Sequence, residues 1–227
     1  LKLALSGGLL YLIFSRIGIA NLGNAFSKLN SWVLIAVFIV FSVQSILNAK
    51  RWMDVMAFFG VNSQFLPLLR ITFISLFVNQ GLPSFIGGDA LRVYWLNREQ
   101  RLLKEAIHSV LVDRIIALFG LAAFMIVGAP GFVYLFGLTP ETKGVLLLSI
   151  VVLVGILVFF CLPALFNRSS PIILVKNLVE VSSRTQSLLA SAQTGKIVVV
   201  QALGIHGLSI LAIYLLMLGF GLSLSFW

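Results

Sequence analysis

The stretch GVLLLSIVVLVGILVFFCL, residues 144–162, contains no charged residue. About 20 apolar residues are needed for a helix to cross the hydrocarbon core of a bilayer, and this run nearly reaches that length before its apolar flanks are added. Its apolar residues do not alternate with polar ones, as those of a barrel strand would. A bilayer core has no water to form hydrogen bonds with backbone N–H and C=O groups, so these groups must bond to one another within the segment. The stretch therefore predicts a transmembrane helix.

Three further runs have the same character: residues 32–47 with their flanks, residues 115–127 with the residues before them, and residues 197–218. Residues 3–15 are typical of a clipped fifth span. The chain begins and ends inside apolar runs, so we expect a fragment truncated at both ends. The fold class predicted for residues 1–227 is all-α: a single polytopic transmembrane helical bundle.

The composition excludes most other classes of protein. Of the 227 residues, 60% are hydrophobic and only 10% are charged, whereas a soluble domain is about 45–50% apolar and about 25% charged. A soluble globule and a disordered chain are therefore both excluded. The net charge of +9 would indicate nucleic acid in a soluble protein. In a membrane protein it indicates cytoplasmic loops, so we expect no nucleic-acid partner.

The distribution of basic residues predicts an unusual segment at residues 65–96. Lys50 and Arg51 follow the run at 32–47, four basic residues lie at 92–104, and four more lie at 168–196. The positive-inside rule favours a cytoplasmic location for all three clusters. In that case the chain between the first two clusters enters the membrane and returns to the same side. Two short spans or a re-entrant hairpin would do this. We favour the hairpin because Pro83 and neighbouring breakers leave arms too short for two spans, and a hairpin also implies a cavity.

A second special segment is the loop at residues 171–195. Lys176, Glu180 and Arg184 recur every four residues and therefore share one helical face. This pattern predicts an amphipathic helix on the cytoplasmic surface of the plasma (inner) membrane. A solvated connector helix would show the same pattern.

The candidate site lies in the block NQGLPSFIGGDALRVYWLNREQRLLKEAIHSVLVDR, residues 79–114. Gly87, Gly88 and Asp89 precede a helical run, whose start has unpaired N–H groups that can bind an anion. Arg92 lies one turn further on and can contact a phosphate with two hydrogen bonds. These residues predict a cradle for a phospholipid head group. Alternatively, Asp89 caps the helix, and Arg92 pairs with Asp89 or extends to the interface.

Asp113 and Arg114 begin the next span and point about 100° apart on a helix. Asp113 could pair across the bundle with Arg92 or Arg70, either as a structural salt bridge or as part of a gate. Asn79 and Pro83 lie at the hairpin tip, where they break the helix, satisfy its end or contact a ligand.

No catalytic signature is present in the sequence. It lacks the motifs of serine hydrolases, zinc proteases, P-loop proteins and dinucleotide-binding proteins. Cys161 is the single cysteine, and His108 and His206 have no metal-ligand partner at a useful spacing. We therefore expect no metal and no cofactor, and no enzymatic activity for this part of the chain.

The segments LPSFIGGDALRVYWL, residues 82–96, and 106–118 resemble the lysylphosphatidylglycerol synthase transmembrane family, also described as flippase-like. In that family a Pro, a Gly-Gly-Asp and an Arg recur in this order, and an acidic–Arg pair opens the following span. The residues that match are Pro83, Gly87, Gly88, Asp89, Arg92, Asp113 and Arg114. The chain contains no soluble aminoacyl-transfer domain, so synthase activity is not expected of it.

The resemblance implies a bundle with re-entrant helices that moves lipids between leaflets. Our hypothesis is a flippase-like protein that binds and translocates phospholipid or other anionic or glycosylated lipids. The partners implied are aminoacylated phospholipid, polyprenyl-phosphate or glycolipid, with a second copy of the chain or a transferase as protein partner. The alternatives are the membrane half of a lipid-modifying enzyme and a non-catalytic membrane scaffold.

Overall fold

The computed structural model describes residues 30–81, 87–166 and 172–221, together with Gly8, Leu12 and Ser15. Within these residues the secondary structure is helical and includes no strand, which confirms the predicted all-α class. The helices are α1 (Ser31–Phe58), α2 (Phe65–Gly81), α3 (Gly87–Gln100), α4 (Leu103–Phe136), α5 (Pro140–Leu165), α6 (Ile173–Ala190) and α7 (Thr194–Gly219).

Four of these helices, α1, α4, α5 and α7, are long and apolar enough to cross a membrane, and they contain the four predicted runs. The α5 helix has the highest mean hydropathy, 3.3, and only 6% of its apolar window is buried in the protein. A helix that is apolar on all sides yet contacts little protein is suited to face lipid. The predicted remnant span at residues 3–15 lies outside the continuously described segments.

The centre of the bundle is formed by α1, α4 and α7. Polar contacts join α1 to α7: the Gln44 amide donates to Ser209 Oγ at 2.7 Å, and the Gln201 amide donates to Asp54 Oδ2 at 2.8 Å. Such bonds help to hold helices together in lipid, where the hydrophobic effect does not. The α4 and α7 helices approach closely at Gly120, where a Cβ would lie 3.0 Å from the Ala202 carbonyl oxygen.

The α2 and α3 helices lie antiparallel where the hairpin was predicted. At one end the Gly88 N–H donates to Asn79 Oδ1 at 2.8 Å, and at the other the Gln100 amide donates to the Asn62 carbonyl at 2.8 Å. The α2 helix continues past Asn79 to Gly81, two residues beyond the predicted start of the break. The tip, residues 82–86 with Pro83, lies outside the described residues. Re-entrance of this pair into the membrane stays a prediction.

The α6 helix occupies most of the predicted segment 171–195. It packs on α5 through Ser182, whose hydroxyl donates to the Phe159 carbonyl at 2.6 Å, and through Gln186, whose amide donates to the Phe160 carbonyl at 2.7 Å. Val179 and Leu188 are fully buried on its inner face. Its location at a cytoplasmic membrane surface stays a prediction.

Candidate functional site

A charged group of three side chains lies in the interior of the bundle. Asp113 of α4 accepts a hydrogen bond from Arg51 Nε of α1 at 2.8 Å on one carboxylate oxygen. Its other oxygen lies 3.5 Å from Arg92 Nη1 of α3. None of the three side chains is more than 4% exposed. We call Arg51, Arg92 and Asp113 the buried ion cluster.

The buried ion cluster has an excess of positive charge, since two guanidinium groups share one carboxylate. Arg51 Nη2 also donates to Asn48 Oδ1 at 3.1 Å, and the Trp52 ring centroid lies 5.0 Å from Arg92 Cζ. Even so, Arg51 Nη1 and Arg92 Nε are buried and form no hydrogen bond with any described residue. Unpaired charge and unused donors are costly in an apolar interior, so this arrangement favours an anion.

The next residue, Arg114, points away from the buried ion cluster. It forms a two-pronged ion pair with Asp89 of α3, with Nε and Nη2 at 2.7 and 2.5 Å from the two carboxylate oxygens. The Arg114 side chain is 48% exposed and that of Asp89 is 20% exposed. We call these two residues the exposed pair. The roughly 100° between successive helical positions separates the exposed pair from the buried ion cluster.

The structure divides the predicted site residues between several contacts. Asp89 pairs with Arg114 rather than with Arg92, and Asp113 meets Arg92 rather than Arg70, which is exposed. Asn79 and Gly88 bond to each other, and Gly87 is the first residue of α3. A Cβ on Gly88 would collide with the Ser75 carbonyl, so glycine allows α3 to pack closely on α2. Pro83 lies outside the described residues.

Arg51 was missed as a site residue. The sequence interpretation placed Lys50 and Arg51 in a loop after the first long run, and this is wrong. The α1 helix continues to Phe58, so Arg51 lies within it and points into the bundle. The apolar residues that follow at 55–59 are the signal that the helix does not end there.

Among the described residues, no three His, Cys, Asp or Glu side chains come together as a metal site would require. The His206 ring bonds the Ala117 carbonyl at 2.9 Å and serves the packing of α7 on α4. The charged groups at the centre of this molecule are those of the buried ion cluster, in which the guanidinium groups are the hydrogen-bond donors.

Four apolar helices long enough to cross a bilayer, packed around internal charges, define a polytopic integral membrane protein. The family described as the lysylphosphatidylglycerol synthase TM region matches residues 1–227, and the chain belongs to this family. It is also similar to a UPF0104 membrane protein of Methanocaldococcus jannaschii, with 27% identity over 130 residues. That match covers 54% of this chain and 39% of the relative. No solved structure matches the chain.

Proposed function

We propose that this protein binds anionic lipids and translocates their head groups between the leaflets of the plasma membrane, with its basic loops on the cytoplasmic side. The observation that carries the proposal is the positive charge excess of the buried ion cluster. Ionisable residues inside membrane helices are costly and commonly mark the path of a substrate or ion. The lipids in question are phospholipids or other anionic or glycosylated lipids.

The geometry of the buried ion cluster suits a phosphodiester. Asp113 holds the two arginines in place and offsets one of their charges, so that one unit of positive charge remains. A phosphodiester carries one negative charge, and guanidinium groups bind phosphate oxygens through paired hydrogen bonds. Arg51 Nη1 and Arg92 Nε are the donors left without a bond among the described residues. With a phosphodiester bound, the cluster would be neutral and cheaper to keep in an apolar interior.

The family name supports a lipid of this kind, because lysylphosphatidylglycerol is an aminoacylated phospholipid with a phosphodiester in its head group. The matched relative is longer than this chain, and the alignment covers 39% of it. What the buried charges of this chain support is the membrane step, lipid binding and translocation.

A vesicle assay tests the proposal. The full chain is reconstituted in phosphatidylcholine vesicles with fluorescent phosphatidylglycerol, and translocation is measured as protection from a membrane-impermeant quencher. Arg92→Gln should slow translocation of the anionic lipid about tenfold or more, the loss expected for a charge-assisted hydrogen bond. Arg92→Lys keeps the positive charge but loses the planar guanidinium group, so its translocation rate should lie between those of the wild type and Arg92→Gln. Arg70→Gln removes an exposed arginine outside the cluster and should leave the rate unchanged.

A second variant separates transport from folding. Replacing all three residues of the buried ion cluster with apolar ones, as Arg51→Met, Arg92→Met and Asp113→Leu together, leaves no buried charge behind. Such replacements are often neutral or stabilising. We expect a folded protein, with helical circular dichroism and thermal stability close to wild type, that no longer translocates phosphatidylglycerol. A folded triple variant that translocates at the wild-type rate would refute the role of the buried ion cluster. A wild-type protein that gives no translocation would favour a scaffold.

A further inference from the structure

A groove of about 770 Å³ runs along the outer side of the bundle between α4 and α6. Residues at three- and four-residue spacing on α4 form one wall, among them Lys104, His108, Leu111 and Leu118. Leucines of α6, such as Leu178, form much of the other wall. From Lys104 to Leu118 the groove extends about 21 Å along the α4 axis, at about 1.5 Å per residue.

The two ends of the groove differ in chemistry. Lys104 and His108 lie one turn apart at the beginning of α4, and both face the Glu180 carboxylate, which lies 3.8 Å from His108 Nδ1. Lys104 is held at this end by Glu180, whose carboxylate lies 2.7 Å away and is shared with Arg184 at 3.2 Å. His108 is 5% exposed, and its Nδ1 forms no hydrogen bond with the described residues. Beyond this basic end the wall consists mainly of leucine, isoleucine and phenylalanine side chains.

The groove also leads towards the buried ion cluster. Arg114 lines it about 15 Å beyond Lys104, between Leu111 and Leu118. The preceding residue, Asp113, holds both arginines of the cluster. The groove therefore reaches the level of the buried ion cluster along α4, while Arg114 itself points away from the cluster and pairs with Asp89.

We propose that the α4–α6 groove binds one anionic phospholipid from the side of the bundle. Its phosphate would contact Lys104 and His108, and one acyl chain would lie along Leu111 and Leu118. Lys104 and Arg184 share the single Glu180 carboxylate, so one positive charge remains at this end and selects an anionic lipid over a zwitterionic one. The apolar wall belongs to a helix long and apolar enough to cross the membrane. The role of the groove as an access route to the cluster rests on the proposed function, but lipid binding in it does not.

The test places a photoreactive amino acid at Leu111 of the full chain. The protein is reconstituted in vesicles of equal phosphatidylglycerol and phosphatidylcholine, and the cross-linked lipids are identified by mass spectrometry. Leu121, on the same helix but outside the groove, is the matched control, since the two side chains are 44% and 41% exposed. Both positions should cross-link lipid. The ratio of phosphatidylglycerol to phosphatidylcholine should be about fivefold higher at Leu111, the preference expected for one basic side chain near a phosphate.

Lys104→Gln should reduce the ratio at Leu111 to that at Leu121. If the label at Leu111 prevents folding, Ile107 offers a second position in the same groove. Equal ratios at the groove and control positions in the otherwise unchanged protein would overturn the proposal. The Arg92→Gln variant distinguishes the two proposals. If this variant translocates lipid at the wild-type rate and keeps the lipid preference at Leu111, the translocation mechanism alone is refuted. Normal translocation without any preference at Leu111 in the wild-type protein refutes the groove alone.

Discussion

Asp113 and Arg114 are neighbours in sequence, yet the buried ion cluster and the exposed pair to which they belong differ in almost every physical respect. The exposed pair is neutral, half open to its surroundings and joined by two hydrogen bonds. The buried ion cluster is enclosed, has one positive charge in excess and leaves two donors without a bond among the described residues. Both consist of arginine and aspartate. Their difference therefore comes from position on the α4 helix, which sets burial and the number of partners, and not from residue type.

The largest effect should come from Asp113→Asn. This change leaves two buried arginines without a counter-ion, and breaking a buried ion pair from one side costs about 3–5 kcal/mol. Asp89→Asn removes the same charge from the exposed pair and should cost about 1 kcal/mol or less. The measurement is the free energy of unfolding of each variant in the same detergent, at low and at high salt.

Salt gives that experiment an internal control. At 0.1 M salt, dissolved ions screen the interaction between exposed charges over a distance of about 10 Å, and over a shorter distance at higher salt. The effect of Asp89→Asn on the free energy of unfolding should therefore shrink at high salt. The effect of Asp113→Asn should persist, because bulk ions do not reach an enclosed carboxylate. Equal losses for the two variants, with equal salt dependence, would mean that burial does not distinguish the two sites.

A smaller loss is expected from Gly88→Ala, which acts on both sites at once. Gly88 lies where α3 packs on α2, directly before the residues that α3 contributes to the exposed pair and the buried ion cluster. An added Cβ would collide with the Ser75 carbonyl and the Asn79 side chain. Overpacking of this kind costs about 1–3 kcal/mol. Thermal unfolding in detergent measures the loss, and the vesicle assay should show slower translocation because Arg92 is displaced.

Gly128→Ala on α4 is the matched control for Gly88→Ala. A Cβ at Gly128 meets nothing within 4 Å, so the substitution gains helix propensity and should stabilise the protein by up to about 1 kcal/mol. If both glycine variants were neutral, the close packing of α3 on α2 would not determine the geometry of either site.

The four spans could be predicted from sequence because a single property, the absence of charge over about 20 residues, decides them. The antiparallel arrangement of α2 and α3 agrees with the helix breakers predicted between them, whereas the charge argument for it had placed Arg51 in a loop. The mistake at Arg51 has a physical cause. A basic residue after a long apolar run ordinarily marks the end of a span, and here that rule conflicts with a helix that continues for two more turns to Phe58.

The pairing of the site residues was less predictable than their presence. Residues 79–114 contain four of the five charged residues of the two sites, and sequence reasoning selected these four, Asp89, Arg92, Asp113 and Arg114. It did not predict which carboxylate pairs with which arginine, because this depends on how α3 is rotated against α4. Contacts between helices hold α3 in its observed orientation, and the hydrogen bond from the Gly88 N–H to Asn79 of α2 is one of them.

The smallest effect on stability is expected at Glu180, an accessible carboxylate that belongs to neither the exposed pair nor the buried ion cluster. Burial raises the pKa of the Glu180 carboxyl, but the hydrogen bond from Lys104 and the charges of His108, Lys104 and Arg184 outweigh it, so the pKa lies below its ordinary value. A carboxyl with a depressed pKa stabilises the fold above its unfolded pKa of about 4.3 and loses this contribution as pH falls through the folded value. The wild-type protein should therefore be more stable than Glu180→Gln at pH 7, by less than about 1 kcal/mol. The difference in unfolding midpoint should shrink as the pH falls below the unfolded pKa of about 4.3 and disappear once the pH is below the folded value.

Glu99→Gln is the control for this titration, since Glu99 is exposed on α3 and no ion pair joins it to the described residues. It should show no comparable difference from wild type at pH 7. High salt should weaken the Glu180 effect at pH 7, as it weakens that of the exposed pair, because Lys104 and Glu180 are both accessible to ions. If the effect of Glu180→Gln did not decrease at high salt, or grew as the pH fell, Glu180 would behave like the enclosed charges of the buried ion cluster and not like the exposed pair.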